Sequence, residues 1–440
     1  MNHADGPRPG VTESGAARAA SWLPLMAWAT GAVFFFYAWV LRVSPSVIVD
    51  DLMREFALGG AVLGNLSALY FYGYSGMQLP AGVLLDRFGP RRLMTASALI
   101  CGGGCVLFAL SPTFSGVAAG RFLIGASAAF SLVGAMAVAG QWFPARRFAL
   151  LSGLAMMMGM AGGVMGQAPV SVAVEAYGWR QTVLWMSVGG FVIAAASWAT
   201  VRDRAIAGTH ARVPLIASLG IVLGNRQTWY NAMSGLGATG PILAFAGLWG
   251  VPFLAQAYGL DRTAAAGVAS LMIAGFGVGA PLIGWLSDRI GRRRPPLVAG
   301  LVLCLVSLSV LIHMPGLPLP VVGALCFLTG LGGSAQIVNF AAARESNAAH
   351  LSGTTIGIVN GFVTGAGALF QPLIGALLDA VWDGRVEGGV RVYALADYRF
   401  AMSALIVGAA LGLACALALR ETYCGVARQA DPIAAPARPD

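Results

Sequence analysis

An arginine lies inside a long apolar stretch, where its charge could bind an anion. The stretch is GAVFFFYAWVLRVSPSVIVDD, and at helical spacing one face carries Phe35, Trp39, Arg42 and Ser46. If this stretch crosses a membrane, a central arginine costs roughly 2.5–3.5 kcal/mol, so its guanidinium favours an anionic partner. The alternative is a helix that ends at Leu41, with the Arg42 side chain extending to the membrane surface. The spacing alone leaves both interpretations open.

Carboxamides form the second set of polar groups inside apolar stretches. Their side chains could contact a bound solute, or they could hydrogen-bond one helix to another, which is the commoner role for a single amide. They are Gln78, Gln167, Gln336, Asn339, Asn360 and Gln371.

A charged cluster occurs twice. Residues 82–92 are GVLLDRFGPRR and residues 284–294 are GWLSDRIGRRR, which share G-x-x-x-D-R-x-G-x-R-R and start 202 residues apart. An aspartate at a helix end can interact with the positive N-terminus of a neighbouring helix. Alternatively, the arginines only set the membrane topology. The repeated glycine and aspartate favour the first role, because a topology signal does not need them.

The composition predicts a membrane protein. Of 440 residues, 58% are hydrophobic and only 10% are charged, whereas soluble domains carry roughly a quarter charged residues. The net charge of +9 comes from arginines in short gaps between apolar runs, which does not indicate nucleic-acid binding. Neither the six cysteines nor the four histidines have the spacing of a metal site. We therefore expect no metal and no cofactor.

Twelve apolar runs are long enough to cross a bilayer as helices. They are 22–48, 61–84, 92–110, 117–140, 148–174, 181–201, 228–254, 264–286, 296–313, 320–343, 353–378 and 399–420, and they are called spans 1 to 12. Spans 3, 6, 9 and 12 have no charge or amide in their middles, which is typical of an outer layer facing lipid.

The single long polar gap divides the chain. We expect an N-terminal tail at 1–21, a six-helix bundle at 22–201, a linker at 202–227, a second bundle at 228–421 and a tail at 422–440. With the N-terminus in the cytoplasm, nineteen of the 27 arginines lie on the cytoplasmic side and six outside. By the positive-inside rule, both tails and the linker are predicted to be cytoplasmic.

The two clusters resemble the signature loop of the major facilitator superfamily, and the duplication and twelve spans resemble its fold. The resemblance implies an all-α membrane protein of two pseudo-symmetric six-helix bundles that moves a solute by alternating access. It implies that Asp86 faces the start of span 11 near residues 352–355, and that Asp288 faces the start of span 5 near Phe148. The gating residues carried over are Gly82, Asp86, Arg87, Arg91, Gly284, Asp288, Arg289 and Arg292.

Span 1 resembles the first helix of organic-anion and organophosphate members, in which an arginine at this place binds substrate. The resemblance favours a buried Arg42, although span 7 lacks the second arginine that phosphate esters need. The implied solute is small and polar, either anionic or zwitterionic: an organic acid, an amino acid or a small peptide. We expect contacts from Arg42, Trp39, Gln336, Asn339 and Asn360. AGRFLIGASAAF resembles a family motif whose arginine, here Arg121, serves coupling or gating; the alternative is a structural hydrogen bond.

Other functions stay open or are disfavoured. RVSPS, GLWGVPFL and QPLIGALLD resemble a bacterial branch linked to amino-acid, peptide or siderophore uptake, with magnetosome relatives. An iron or iron-chelate transporter is therefore the alternative, and a multidrug exporter is less favoured. No catalytic constellation or phosphate-binding loop indicates an enzyme. We expect a monomer in the bacterial inner membrane, working by facilitated diffusion or exchange, with proton symport through Asp50 or Asp51 as the alternative.

Overall fold

The structure is a computed structural model that describes residues 22–203, 215–348 and 351–425. In the N-terminal half, spans 1 to 6 are Leu23–Val43 continued by the 3₁₀ turn Ser44–Val47, then Gly60–Phe88, Pro90–Leu110, Phe114–Trp142, Ala145–Met165 with Ala168–Tyr177, and Trp179–Thr200. In the C-terminal half, spans 7 to 12 are Arg226–Gly240 with Pro241–Trp249 and Gly250–Tyr258, then Arg262–Ile290, Arg294–His313, Leu319–Gly333 with Gln336–Glu345, Ser352–Val381, and Leu395–Ala418.

Three smaller elements connect the spans. A short helix, Val49–Phe56, precedes span 2, and another, Leu215–Gly224, precedes span 7. An antiparallel hairpin of β1 (Val386–Glu387) and β2 (Val390–Arg391) precedes span 12. The predicted linker lies partly outside the described residues, and the domain boundaries drawn from the sequence stay predictions.

The predicted fold class is confirmed. In the described part, eleven helices are long and apolar enough to cross a membrane, and the remaining candidate is span 2 together with Val49–Phe56, bent by 118°. Most helices extend past the apolar runs that predicted them. Span 2, for example, continues through the charged cluster and stops only at Gly89, whose φ of 79° favours glycine.

Spans 3, 6, 9 and 12, the four without a charge or amide in their middles, form an outer layer. Span 3 packs against span 6, and span 9 packs against span 12. Large apolar side chains on these helices are exposed, among them Trp185, Val192, Val306 and Val407. Such a surface suits contact with lipid tails rather than with water.

The two halves meet along two helix pairs. Span 2 packs against span 11 so closely that a Cβ on Gly64 would lie 2.4 Å from the carbonyl oxygen of Gln371, and one on Gly375 would lie 2.1 Å from that of Gly60. Span 5 packs against span 8, where a Cβ on Gly163 would lie 2.8 Å from the Ile273 side chain. Small residues permit this approach of helix backbones.

Span 7 contains a π-helical stretch, Pro241–Trp249. Two buried amides donate to its carbonyl oxygens: Gln371 Nε2 to Leu243 at 2.7 Å, and Gln167 Nε2 to Ala246. Both glutamines are fully buried. They therefore join helices, the commoner role for an amide inside a membrane.

Candidate functional site

Arg42 is buried in the last turn of span 1. The helix continues to Val43 and then into the 3₁₀ turn, so the alternative of a helix ending at Leu41 with a surface-seeking arginine is wrong. Arg42 is only 3% exposed. Its Nε and Nη2 are enclosed and have no hydrogen-bond partner in the described part of the chain.

Aromatic rings surround the Arg42 guanidinium. Its Cζ lies 4.2 Å from the Trp39 ring centre, 4.6 Å from that of Tyr74, 5.3 Å from that of Tyr70 and 5.9 Å from that of Phe71. Cation–π attraction stabilises the charge without giving the N–H groups acceptors. The site therefore holds a cation with unused donors. Tyr70, Tyr74 and Gln78 follow helical spacing on span 2, a stripe that the sequence favours as packing rather than as a binding face, so the two tyrosines were not among the predicted contact residues.

Arg121, on span 4, fixes the backbone that carries Arg42. Its Nη1 donates to the Leu41 carbonyl at 2.6 Å and its Nη2 to the Arg42 carbonyl at 2.9 Å. A cation at the C-terminus of a helix also compensates the negative end of the helix dipole. The structural alternative considered for Arg121 is thus observed, and its role in coupling stays a prediction.

Polar groups without partners recur in the C-terminal half. On span 10, Gln336 Oε1 and both amide atoms of Asn339 have no hydrogen-bond partner in the described part. On span 7, Asn231 Oδ1 and Ser234 Oγ likewise have no hydrogen-bond partner there. The Asn339 amide nitrogen would lie 3.6 Å from a Cβ on Gly235, which places spans 7 and 10 together here. These groups can accept and donate but carry no charge.

Asn360 differs from the other predicted contact residues. Its Nδ2 donates to Gln78 Oε1 at 2.9 Å, across the boundary between the halves. One helical turn away, Thr364 and Ser75 hydroxyls are 2.9 Å apart. In this structure Asn360 ties span 11 to span 2, and its contact with a solute stays a prediction.

The described signature-loop residues contact mainly their own half. The Arg91 side chain donates to the Trp198 carbonyl at 3.0 Å, and its backbone N–H donates to Asp203 at 2.9 Å. Arg87, Arg289 and Arg292 each lie beside one ring, those of Phe88, Trp285 and Tyr423 respectively. The surroundings of Gly82 and the side chain of Asp86 lie outside the described part.

Asp288 is bonded within its own loop. It accepts from Arg293 at 2.5 Å while its side chain stays 71% exposed, and a Cβ on Gly284 would meet nothing within 4 Å. No described contact joins Asp288 to span 5 near Phe148, where the resemblance places it. Among the described residues the predicted contact is not seen, and it stays a prediction.

Arg293, which the predicted gating residues did not include, is the centre of a partly buried ionic network. It donates to Glu345, at the end of span 10, at 2.7 Å. Burial disfavours its charge, but hydrogen bonds to Glu345 and Asp288 outweigh this and raise the Arg293 pKa. Burial likewise opposes the charge of Glu421, but backbone N–H groups of Arg293 and Arg294 outweigh it and lower the Glu421 pKa.

Most described polar ties between the halves lie toward one end of the molecule, called here the closed end, which holds residues 44–60. Arg262 bonds Asp51 at 2.8 Å, and Thr263 bonds Glu175 at 2.8 Å. The opposite end holds Gly89 and residues 291–293, and it is called the signature-loop end. The described ties extend toward it no further than Asn360 and Gln78. The halves are thus locked together at the closed end.

Comparisons with known proteins give one family and one fold. The sequence model described as Major Facilitator Superfamily matches residues 27–372 and 235–428. A solved bacterial homologue of the human lysosomal transporter Spinster, in an inward-facing and unoccupied conformation, is similar with a TM-score of 0.75 and 16% identity, over 93% of this chain and 99% of that one. It is similar in fold.

Three relatives are transporters by name. A gentisate transporter of Corynebacterium glutamicum is 26% identical over 86% of this chain and 84% of its own length. A probable sulfoacetate transporter of Cupriavidus necator is 26% identical over 34% of this chain, and the match spans only 35% of that protein. A hexuronate transporter of Escherichia coli is 24% identical over 44% of this chain and 49% of its own length.

Proposed function

The chain belongs to the major facilitator superfamily, and we propose that it moves a small organic anion across the membrane by alternating access. Its family and its fold, with many membrane-spanning helices, are those of transporters and not of enzymes. Arg42 binds the carboxylate of the solute, with Trp39 beside it. Gln336, Asn339 and Asn360 provide uncharged contacts from the C-terminal half.

The main support for an anionic solute is that Arg42 is buried while two of its nitrogen donors have no partner in the described residues. In the described part of the chain, Nε and Nη2 of this buried guanidinium have no acceptor in hydrogen-bonding geometry, and a donor that has given up hydration in this way is costly for the empty protein. A carboxylate offers two oxygens that match the planar fork of an arginine. The bond is strong because little water reaches the site to screen it.

The names of the relatives support the same solute class. Gentisate, sulfoacetate and hexuronate differ in size and ring content, but each carries a carboxylate. The iron-chelate alternative gains no such support, and within residues 22–203, 215–348 and 351–425 no group of three or more His, Cys, Asp or Glu side chains could hold a metal ion.

The positions of the polar contacts between the two halves indicate which end of the protein is open to solute. With the closed end locked, solute reaches Arg42 from the signature-loop end. When that end shuts, Asp86 and Asp288 move to the starts of spans 11 and 5. The remaining signature residues support those two loops: Gly82, Arg87, Arg91, Gly284, Arg289 and Arg292.

The protein lies in the bacterial inner membrane with both termini in the cytoplasm, following the arginine distribution. A reporter enzyme fused after residue 428 is expected to be active in the cytoplasm. The same reporter placed in the loop near residue 387 is expected to be active in the periplasm. Periplasmic activity of the fusion after residue 428 contradicts this orientation.

Transport itself is tested with purified protein in liposomes. Labelled gentisate and glucuronate are offered beside their neutral amides, and labelled sulfoacetate is offered as a third acid. We expect gentisate or glucuronate to enter down its gradient while its amide does not. Because no Asp or Glu lies in the middle of a span, a pH gradient alone is expected not to drive accumulation. Uphill uptake driven by pH would instead favour proton symport through Asp50 or Asp51.

A further inference from the structure

Asp379, near the end of span 11, is bound by the first residues of span 2 in the other half. Its Oδ1 accepts from the backbone N–H of Gly60 at 2.9 Å, and its Oδ2 accepts from that of Ala61 at 2.9 Å. These N–H groups begin a helix and have no partners within it. The carboxylate thus satisfies them and lies against the positive end of the helix dipole.

Two side chains from the next loop complete the arrangement. The Tyr393 hydroxyl donates to Asp379 Oδ1 at 2.6 Å and accepts from the Gly60 N–H at 3.0 Å. Arg391 Nη1 donates to the same carboxylate oxygen at 3.1 Å. Burial and the neighbouring carboxylate raise the Tyr393 pKa, so the hydroxyl keeps its proton and remains a donor.

The backbone is shaped to admit the carboxylate. A Cβ on Gly59 would lie 2.8 Å from Asp379 Oδ2 and 2.8 Å from Arg391 Nη1. A Cβ on Gly60 would lie 2.8 Å from the Gly375 carbonyl oxygen. All three distances are too short for a Cβ atom unless its neighbour moves. At Gly60 the close atom belongs to the backbone, and at Gly59 a side chain would displace the ends of Asp379 and Arg391. Glycine at these two positions therefore preserves the contact between the halves.

The bonds of Asp379 and the first signature loop lie at opposite ends of the same two helices, spans 2 and 11. Spans 2 and 11 run antiparallel as Gly60–Phe88 and Ser352–Val381. Asp86 and Asp379 each lie two residues before the end of their helix. Asp379 meets the start of span 2 at the closed end, and Asp86 lies at the opposite end, where span 11 starts.

We propose that Asp379 is a latch that holds the closed end shut, the counterpart of Asp86 at the signature-loop end. The proposal rests on alternating access, because the two ends open in turn only if one latch is released while the other is engaged. Asp379 must leave the N–H groups of Gly60 and Ala61 when the closed end opens. Breaking these bonds is part of the barrier to opening.

The test measures opening directly and needs no solute. Spin labels are placed on cysteines at Gln181 and Val386, which are exposed at the closed end on opposite halves, after the six native cysteines have been replaced. Pulsed electron resonance on the full chain in liposomes gives the distance distribution between the labels. Asp379→Asn is expected to raise the population of long distances about tenfold, as loss of a charged bond to a helix start predicts.

Matched variants make the result specific. Asp383→Asn removes an exposed carboxylate paired with Arg385 and is expected to leave the distribution unchanged. Asp86→Asn is expected to shift it toward short distances. Tyr393→Phe, which removes one donor and keeps the ring, is expected to give a smaller shift than Asp379→Asn and covers the case in which the asparagine variant does not fold.

Two outcomes overturn the proposal, and they differ. If the unmodified chain samples two distances and the Asp379 and Tyr393 variants leave their ratio unchanged, the latch is wrong while alternating access stands. If either variant has a lower melting temperature but the same ratio of the two distances, the latch is again wrong while alternating access stands. If a single distance persists in every variant, including Asp86→Asn, alternating access itself is contradicted, and the latch with it.

Discussion

Arg42→Ala is expected to lower the affinity for carboxylate solutes about a hundredfold or more. The estimate follows from the roughly 2–5 kcal/mol lost when one partner of a buried, hydrogen-bonded charge pair is removed. Arg42→Lys keeps the charge but offers a single ammonium group in place of a planar fork, so it is expected to restore only a small part of the binding. Binding is measured by titration calorimetry and by uptake into liposomes.

A second substitution tests the effect of the charge on the empty protein. Removing a buried charge usually leaves a partner uncompensated, but no carboxylate pairs with Arg42 in the described residues. Arg42→Met removes the charge and keeps apolar volume among the surrounding rings, so its melting temperature without solute is expected to equal or exceed that of the unmodified chain. Arg420→Ala, which removes an exposed arginine, is the control and is expected to change neither affinity nor stability.

The role of Arg42 is decided by comparing the loss of affinity for an acid with the loss for its neutral amide. If it binds a carboxylate, the loss is large for the acid and small for its neutral amide. Equal losses for both would indicate that Arg42 shapes the cavity rather than binding charge. Unchanged affinity for every acid tested would contradict the anion site. In that case the uncharged groups near Gln336 and Asn339 become the better candidates for solute binding.

Much of the fold could be predicted because it depends on local properties. The length of an apolar run sets a span, and the arginines between runs mark its ends. The repeated cluster reveals the duplication by its 202-residue offset, and Gln167 and Gln371 fall 204 residues apart, on spans 5 and 11. Their acceptors could not be foreseen, because the apolar sequence of Pro241–Trp249 does not distinguish a π-helical stretch from an α-helix.

The site was less predictable because its parts come from different helices. Arg42 was found as a charge in an apolar run, but whether it was buried depended on where span 1 ends. Tyr70 and Tyr74 alone are compatible with simple packing, and only the placement of span 2 beside span 1 brings them around the guanidinium. Asp379 bonds Gly60 across more than three hundred residues of sequence, a relation that spacing along the chain does not show.

Arg293→Ala is expected to destabilise the protein by about 3 kcal/mol, because it leaves Glu345 charged and unpaired where its side chain is only 11% exposed. The loss is measured as a fall in the unfolding free energy or in the melting temperature in detergent. Arg292→Ala is the matched control. Its side chain is exposed and lies near the Tyr423 ring, so its expected effect is below about 0.5 kcal/mol.

A double variant distinguishes an ion pair from simple packing. Arg293→Met with Glu345→Leu removes both charges and keeps apolar volume, and such replacements of buried pairs are often neutral or stabilising. We therefore expect the double variant to recover most of the stability that Arg293→Ala loses. A double variant as unstable as the single one would contradict a simple pair. The stability would then depend on the remaining bonds of the network, from Arg293 to Asp288 and from Thr422 to Glu345.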